Sequence, residues 1–232
     1  IGPDVPPSDR TLDCTGHLAI PGLINCHHHL YQSLTRVMPE VQSAELFPWL
    51  QIQYPIWGRM TGEAVYVSAV VSLAEMLLSG CTTASDMFYV FPRGSDVALD
   101  HVIRAAQELG VRIHAGRGSM SLGQSAGGLP PDHVVQTGEE ILSDTERLAD
   151  QYHQAEPGGM VRIDVMPCSP FSVTRDLMEA SRDLARRRGL LLHTHIAETL
   201  DEEKFCLETF GYRPLGYLEQ MGWLGPDVYL AH

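Results

Sequence analysis

Two histidines at the end of a short apolar segment are well suited to bind a metal ion. Residues 21–29 read PGLINCHHH. Side chains alternate across a strand, so His27 and His29 point to one side and His28 to the other. Two imidazoles that converge at a strand end can ligate a divalent transition metal. We therefore expect His27 and His29 to be metal ligands on a short buried strand, with His28 packed elsewhere.

A second segment, HTHIAE at residues 193–198, has the chemistry to complete such a site. His193 and His195 face the same side of a predicted strand, and His195 is nearer to its end. We expect His195 to be the third metal ligand and His193 to be a hydrogen-bonded core residue. Glu198 follows on the loop, where a carboxylate beside a metal-activated water can pass a proton to a leaving group or ring nitrogen.

The number and type of metal ions can be narrowed further. Residues 161–167 contain no lysine, so the carboxylated lysine that bridges two metals in binuclear barrel hydrolases is not expected there. A single divalent ion is predicted, with zinc preferred and iron compatible with the same ligands. His232 is expected to polarise the attacked atom or to steady the hydroxide. Asp86 is a further ligand candidate, although a structural cap is its favoured role.

Strand-like and helix-like segments alternate from residue 20 onward, which predicts a parallel sheet. This pattern fits either a barrel or an open doubly wound sheet. A histidine pair rather than a glycine-rich nucleotide loop follows the first strand, which favours a (β/α)8 TIM barrel with its site at the carboxyl ends of the strands. The predicted strands are 20–26, 81–86, 111–116, 161–167, 190–196 and 227–232. The predicted helices run from Thr61 to Gly80, Ser95 to Gly110, 138 to 154, Thr174 to Gly189, 200 to 210 and Pro214 to Gly222.

Six predicted strands are fewer than the eight of a closed barrel. We therefore expect residues 21–232 to form a barrel domain that is incomplete at its C-terminus. Residues 1–20 are rich in proline and aspartate and are too short to fold alone. They are expected to be the remnant of a small β-domain that segments outside this sequence complete.

The composition of the chain indicates which kinds of binding partner and which cellular compartment to expect. The formal net charge is −13 and Lys204 is the only lysine, which argues against a nucleic-acid partner because such binding neutralises phosphates with basic side chains. No apolar run in the sequence approaches the length of a membrane span. The five cysteines are widely spaced without a CxxC pair, which argues against a disulfide framework and favours the reducing cytoplasm.

These segments resemble the amidohydrolase superfamily, in its aminohydrolase branch. PGLINCHHH is similar to the first-strand signature of that branch, HIAE at 195–198 to its fifth-strand motif, and His232 to its sixth-strand histidine. Residues 27–36, 117–131 and 167–172 are further similar to deaminases that act on 8-oxoguanine. The resemblance implies hydrolysis of 8-oxoguanine to urate and ammonia, a fourth metal ligand from an aspartate on the eighth strand, and self-association into a homo-oligomer.

Candidate substrate contacts surround the predicted metal site. Gln32 follows His29 closely and can present an amide to a flat polar heterocyclic base. Arg117 can donate to a ring carbonyl from the third strand, or form a salt bridge at the barrel rim. Trp49 can stack on the base or pack the mouth of the barrel. Cys168 stands where guanine and adenosine-type deaminases place arginine or histidine, and residues 116–131 are expected to form a glycine-rich cover.

Other functions remain open at this point. One is a deaminase or hydrolase of another heterocycle, of the isocytosine, guanine, triazine or S-adenosylhomocysteine type, with the same metal site. The segment 116–131 and Cys168 would discriminate among these. Another is a degenerate metal-binding scaffold without catalysis, which the presence of Glu198 beside the histidines argues against, because a structural metal site needs no acid.

Overall fold

The computed structural model describes residues 6, 7 and 9–232 of the chain. Within them, six strands form one sheet in sequential order, and every neighbouring pair is parallel. This is the arrangement of a (β/α) barrel with six of its eight strands in place. The strands are β1 (Leu23–Asn25), β2 (Cys81–Phe88), β3 (Arg112–Ser119), β4 (Val161–Pro167), β5 (Leu192–His195) and β6 (Val228–Ala231).

Helices fill the connections between successive strands, as the alternating sequence pattern predicts. The longest described helix, α2, begins at Thr61, whose hydroxyl accepts the Ala64 N–H; side-chain caps of this kind satisfy the free donors of a helix start. The α-helices are α1 (Leu46–Trp57), α2 (Gly62–Leu78), α3 (Asp100–Leu109), α4 (Gly138–Tyr152), α5 (Arg175–Arg188), α6 (Leu200–Phe210) and α7 (Pro214–Gln220).

Local signals explain several helix ends. Thr137 and Glu140 form a reciprocal capping box at the start of α4, and Gly189 ends α5 in the left-handed conformation with φ 66°. The predicted start at Ser95 of the helix observed as α3 is wrong. The Ser95 hydroxyl donates to the Pro92 carbonyl at 2.7 Å and closes a turn, and α3 begins only at Asp100.

The first strand is shorter and more exposed than predicted. β1 covers Leu23–Asn25 instead of 20–26, and Leu23 and Ile24 are 55% and 67% exposed. Among the described residues β1 pairs only with β2, so no neighbouring strand covers its other edge there.

The apolar core is continuous and holds the inner strands against the helices. Its fully buried members include Ile113 and Ile163 from the sheet and Leu73, Ile103 and Leu148 from the helices. Residues 1–5 and 8 of the predicted N-terminal remnant lie outside the described residues, and the remainder of 1–20 forms neither helix nor strand. None of the described helices is long and apolar enough to cross a bilayer.

Candidate active site

Four imidazoles from three separate strands meet at one end of the sheet. His27 and His29 follow β1, His195 ends β5, and His232 follows β6. The ligand atoms of His27, His195 and His232 lie within 4.8 Å of one another. His29 Nε2 lies 3.0 Å from His195 Nε2. The structure therefore brings together the histidines that the sequence assigned to the metal site, at the carboxyl ends of parallel strands.

Backbone carbonyls fix the tautomers of two of these rings. His29 Nδ1 is 2.7 Å from the Met87 carbonyl oxygen, and His195 Nδ1 is 2.7 Å from the Cys168 carbonyl oxygen. A carbonyl oxygen only accepts, so each Nδ1 must carry the proton and donate it. In a neutral imidazole the other nitrogen then bears a lone pair. Both Nε2 atoms are therefore free to ligate a metal.

A relay through His193 fixes the third ring. His193 Nδ1 donates to the Tyr229 carbonyl at 2.7 Å, which leaves His193 Nε2 as an acceptor. That atom lies 2.8 Å from His27 Nδ1, so His27 donates to it and keeps a lone pair on its own Nε2. Metal-binding histidines are commonly oriented by a second group in this way. The prediction that His193 is a hydrogen-bonded core residue holds, and the structure adds that its partner is His27.

The short contact between His29 and His195 tests whether the site fits a cation. With both Nδ1 atoms protonated, the two Nε2 atoms that face each other at 3.0 Å are both lone-pair donors. Such an approach is repulsive unless a cation is shared between them. Two nitrogens bound to one tetrahedral zinc lie roughly 3.3 Å apart. The donor set and its spacing thus fit a single divalent metal.

Burial keeps these histidines in the form that binds metal. Burial first, and the neighbouring His29 second, lower the pKa of His27 to about 3. Burial likewise lowers the pKa of His29 to about 4 and holds that of His195 well below its ordinary value. Because only the neutral imidazole is a ligand, all three rings are ready for metal at neutral pH.

Glu198 lies next to this cluster and is the nearest candidate for a proton shuttle. Its Oε1 is 3.7 Å from His232 Nε2, and the His232 ring stacks on His195 with centroids 5.7 Å apart. Burial raises the pKa of the Glu198 carboxyl, which brings a carboxylic acid closer to the range where it can give and take protons near neutral pH.

A buried carboxylate holds the turn that carries Glu198. Ala197 has a left-handed backbone with φ 58°, a conformation that non-glycine residues rarely adopt. Glu202, on the first turn of α6, accepts the Ala197 N–H at 3.1 Å and the Glu198 N–H at 2.7 Å. Glu202 was not among the residues predicted from the sequence; the spacing Thr199-x-x-Glu202, a capping-box pattern, was the available signal.

A network of polar side chains inside the sheet holds the His193 ring in place. The His193 ring stacks on Tyr229, with centroids 4.1 Å apart. The Tyr229 hydroxyl donates to Asp164 at 2.9 Å and accepts from Ser85 at 3.0 Å, and His114 donates to the same carboxylate at 2.9 Å. This network inside the sheet fixes the ring that in turn orients His27.

A cavity of about 250 Å³ opens directly onto the histidines. Its volume is at the small end of ligand sites, which span roughly 300–1,000 Å³. The predicted site residues that line it are His27, His29, Gln32, Trp49, Cys168, His195, Glu198 and His232. The wall also contains residues that the sequence analysis missed: Leu46, Leu50 and Tyr54 from α1, with Tyr89 and Phe171.

Arg117 does not reach this cavity. Its side chain donates to Asp144 at 2.6 Å and to Gln136 at 2.8 Å, and its guanidinium lies 3.9 Å above the ring of Phe91. β3 extends to Ser119, so Arg117 is not at the strand's end, and alternation turns its side chain toward α4. The prediction that Arg117 contacts the substrate is therefore corrected in favour of a salt bridge.

Other predicted contributors to the site take structural positions. Asp86 Oδ1 accepts the Leu30 N–H at 2.7 Å, just after His29, so Asp86 has the favoured capping role and does not line the cavity. His28 does not line the cavity, and its buried Nδ1 has no hydrogen-bond partner among the described residues. Residues 116–119 belong to β3, so the predicted glycine-rich cover begins only after Ser119.

Comparison with known proteins identifies the fold that builds this site. The sequence model described as the amidohydrolase family matches residues 18–232. The chain belongs to the amidohydrolase family. This confirms the family and the barrel fold that the strand-end histidines and the β/α alternation predict. As in other barrel proteins, the amidohydrolase chain carries its candidate site at the carboxyl ends of its strands.

Two curated amidohydrolase relatives are enzymes. The chain is 52% identical over 226 residues to 8-oxoguanine deaminase from Pseudomonas aeruginosa, covering 97% of this chain and 50% of that protein. It is 37% identical over 249 residues to hydroxydechloroatrazine ethylaminohydrolase from Pseudomonas sp. strain ADP, covering 100% of this chain and 51% of the relative. The amidohydrolase chain thus spans about half the length of these relatives.

A solved structure gives the same picture of the fold. The crystal structure of atrazine chlorohydrolase TrzN from Arthrobacter aurescens TC1, complexed with zinc, superposes with a TM-score of 0.86 at 36% sequence identity. The match covers 91% of this chain and 48% of that one. The half-barrel described above is therefore a recognisable part of a complete amidohydrolase barrel.

Proposed function

We propose that the full-length protein is a metal-dependent aminohydrolase that converts 8-oxoguanine to urate and ammonia. The observation that carries the reaction class is the pair of lone-pair nitrogens, His29 Nε2 and His195 Nε2, which face each other at 3.0 Å beside a cavity that also holds Glu198. The choice of substrate is supported by the 52% identity to 8-oxoguanine deaminase over nearly the whole chain.

His27, His29 and His195 would hold one divalent ion, for which zinc is proposed and iron is compatible. When bound, such an ion acts as a Lewis acid that lets water ionise near neutral pH. The contribution of the chain is to keep three imidazoles neutral and turned toward one point. Met87, Cys168 and the His193 relay fix those orientations.

Proton transfer is assigned to Glu198. Its carboxyl lies in the cavity with the histidines, where it can take a proton from the attacking water and give it to the ring nitrogen beside the amino-bearing carbon. The same carboxylate can then take the second proton of the former water from the hydroxyl of the tetrahedral centre and pass it to the amino group, so that the C–N bond breaks and ammonia leaves. His232, 3.7 Å from Glu198 Oε1, can hydrogen-bond the developing tetrahedral centre, which is a preorganised electrostatic role.

The base would be held by side chains that line the same cavity. Gln32 offers an amide donor and acceptor to a polar ring edge, and Trp49 offers an aromatic face for stacking. Burial raises the pKa of the Cys168 thiol to about 12, so Cys168 contributes a neutral surface that suits an uncharged base. We further propose a cytoplasmic enzyme of purine metabolism that acts as a homo-oligomer.

A second candidate function is the hydrolysis of a substituted triazine. It is favoured by the 37% identity to hydroxydechloroatrazine ethylaminohydrolase. Both functions use the same histidines and Glu198, and they differ in the polar contacts that the cavity must make with the ring.

Ammonia release by the purified, metal-loaded full-length protein tests the proposal. The panel comprises 8-oxoguanine, guanine, isocytosine and an aminated triazine, and urate is followed by its ultraviolet absorbance. We expect the highest kcat/KM with 8-oxoguanine. A higher value with the triazine would favour the second function, and no turnover with any base, in protein that contains metal, would contradict both.

A further inference from the structure

One hydroxyl in the cavity wall has no partner in the protein. Tyr54, on α1, is 1% exposed, and its side chain lines the cavity next to the histidines. No described residue hydrogen-bonds its Oη atom. A buried hydroxyl without a partner costs about 1–3 kcal/mol, so such a group calls for a physical explanation.

The Tyr54 ring is held by its neighbours on α1. Trp57, three residues further along α1, donates from its indole N–H to Thr35 Oγ1 at 3.1 Å. The Tyr54 ring packs edge-on against the Trp57 ring, and the two ring centroids are 5.9 Å apart. The side chain is therefore held in place in the cavity wall, and besides burial, Cys168, Tyr89 and Glu198 of the same wall lie near enough to the hydroxyl to raise the pKa of Tyr54.

The hydroxyl is also in the right protonation state to donate. Burial raises the pKa of Tyr54 well above its ordinary value, so the group keeps its proton at neutral pH. Leu50, Trp49 and Phe171 line the same cavity with apolar surface. A flat base held against such surface has to satisfy its polar edge with the few polar groups that the wall provides.

We propose that Tyr54 determines substrate specificity by hydrogen-bonding a polar edge atom of the bound base through its Oη. This inference rests on the proposed function, because it takes the occupant of the cavity to be a purine. It gives a residue of α1 a role in binding the base, although α1 contains none of the predicted metal ligands. A site built to hydrogen-bond a substrate group rejects analogues that leave its polar atom unpaired.

A second tyrosine provides a matched control. Tyr217, on α7, is also 1% exposed, and its hydroxyl also lacks a partner among the described residues. Its ring stacks on Phe210 at 3.9 Å, and Tyr217 does not line the cavity. Tyr54→Phe and Tyr217→Phe therefore remove the same atom from equally buried sites, and only the first site faces the candidate ligand.

The test measures binding without turnover. The probe is 8-oxohypoxanthine, which lacks the amino group that the reaction would remove, titrated calorimetrically into metal-loaded full-length protein. We expect Tyr54→Phe to weaken its affinity about tenfold or more, and Tyr217→Phe to leave it within about twofold. Because the hydroxyl has no partner in the free protein, we expect the unfolding temperature of Tyr54→Phe to equal or exceed that of the wild type.

Each outcome has one meaning. Equal affinity of the wild type and Tyr54→Phe for the probe would overturn the inference while leaving the proposed function intact. A lowered unfolding temperature of Tyr54→Phe would also overturn it, since it would give the hydroxyl a structural role. A wild-type protein that contains metal but neither binds the probe nor deaminates any purine would contradict the proposed function itself.

Discussion

His193 Nε2 accepts a hydrogen bond from His27 Nδ1 at 2.8 Å, and this contact decides which nitrogen of His27 faces the candidate metal site. The two residues are 166 positions apart in the sequence; His193 lies on β5 and His27 lies two residues beyond the end of β1. His193 is in turn locked by the Tyr229 carbonyl. Through this one hydrogen bond, the fixed position of His193 in the sheet also fixes the orientation of His27, a proposed metal ligand.

Replacing His193 should weaken metal binding without removing a ligand. Without His193, the Nδ1 proton of His27 loses its acceptor and the ring can rotate or change tautomer. We expect His193→Ala to lower the affinity for zinc about 10–100-fold, measured by competition with a chromogenic chelator. His28→Ala, which alters the neighbouring ring on the opposite side of the strand, should change that affinity less than about twofold. Equal affinities of the two variants would contradict the relay.

Glu198→Gln should separate proton transfer from metal binding. The amide keeps the shape of the side chain but cannot carry a proton between water and the ring, so we expect kcat to fall about 10²–10⁴-fold. Metal content, measured by plasma mass spectrometry, should stay at the wild-type level because Glu198 is not one of the proposed ligands. Turnover within a few-fold of the wild type would rule out the shuttle role.

Glu202 should affect catalysis through the position of Glu198. In Glu202→Ala the left-handed turn at Ala197 loses both of its carboxylate contacts, and a displaced catalytic group can cost up to about 100-fold in rate. We expect kcat to fall while KM stays within about threefold.

Glu203→Gln is the matched control for Glu202. Glu203 is the next residue on α6 and forms a partly exposed ion pair with Arg213 at 3.4 Å. Such pairs contribute little, so we expect wild-type kcat. If Glu202→Ala and Glu203→Gln had the same kcat, Glu202 would have no positioning role.

Arg117 should matter for stability rather than for substrate binding. Its guanidinium is buried against Asp144, and Arg117→Met would leave that partly buried carboxylate without its partner. We expect a loss of about 2–3 kcal/mol in the free energy of unfolding, measured by denaturant titration, with KM unchanged. Arg104→Met, which removes an exposed pair with Glu108, should cost less than about 1 kcal/mol. A raised KM with unchanged stability in Arg117→Met would restore the substrate-binding interpretation.

The strand-end histidines could be predicted because a period of two is a local property of the chain. His27, His29 and His195 fall on the inner side of their strands whichever strands are neighbours, so their convergence needs only a parallel sheet. The same rule places His193 on the inner side. Its contact with His27 depends on how far apart β1 and β5 lie across the curled sheet, and that distance is not encoded locally.

The residues that were misplaced or missed depend on where elements begin and end. Arg117 was assigned to a strand end, but β3 continues to Ser119, and alternation along β3 puts the Arg117 side chain on the face that packs against α4, where it meets Asp144. Helix α1 was not predicted because Pro48 and Pro55 interrupt an apolar segment without a clear helical period. Leu46, Trp49, Leu50 and Tyr54 therefore reached the cavity wall through an element that only the structure reveals.

The most direct test is anomalous diffraction at the zinc edge from crystals of the full-length protein grown with zinc. Three neutral imidazoles with lone pairs turned toward one point predict a single strong peak that contacts Nε2 of His27, His29 and His195. The account would be contradicted if no peak appeared there and the 3.0 Å contact between His29 and His195 persisted with both carbonyl hydrogen bonds in place.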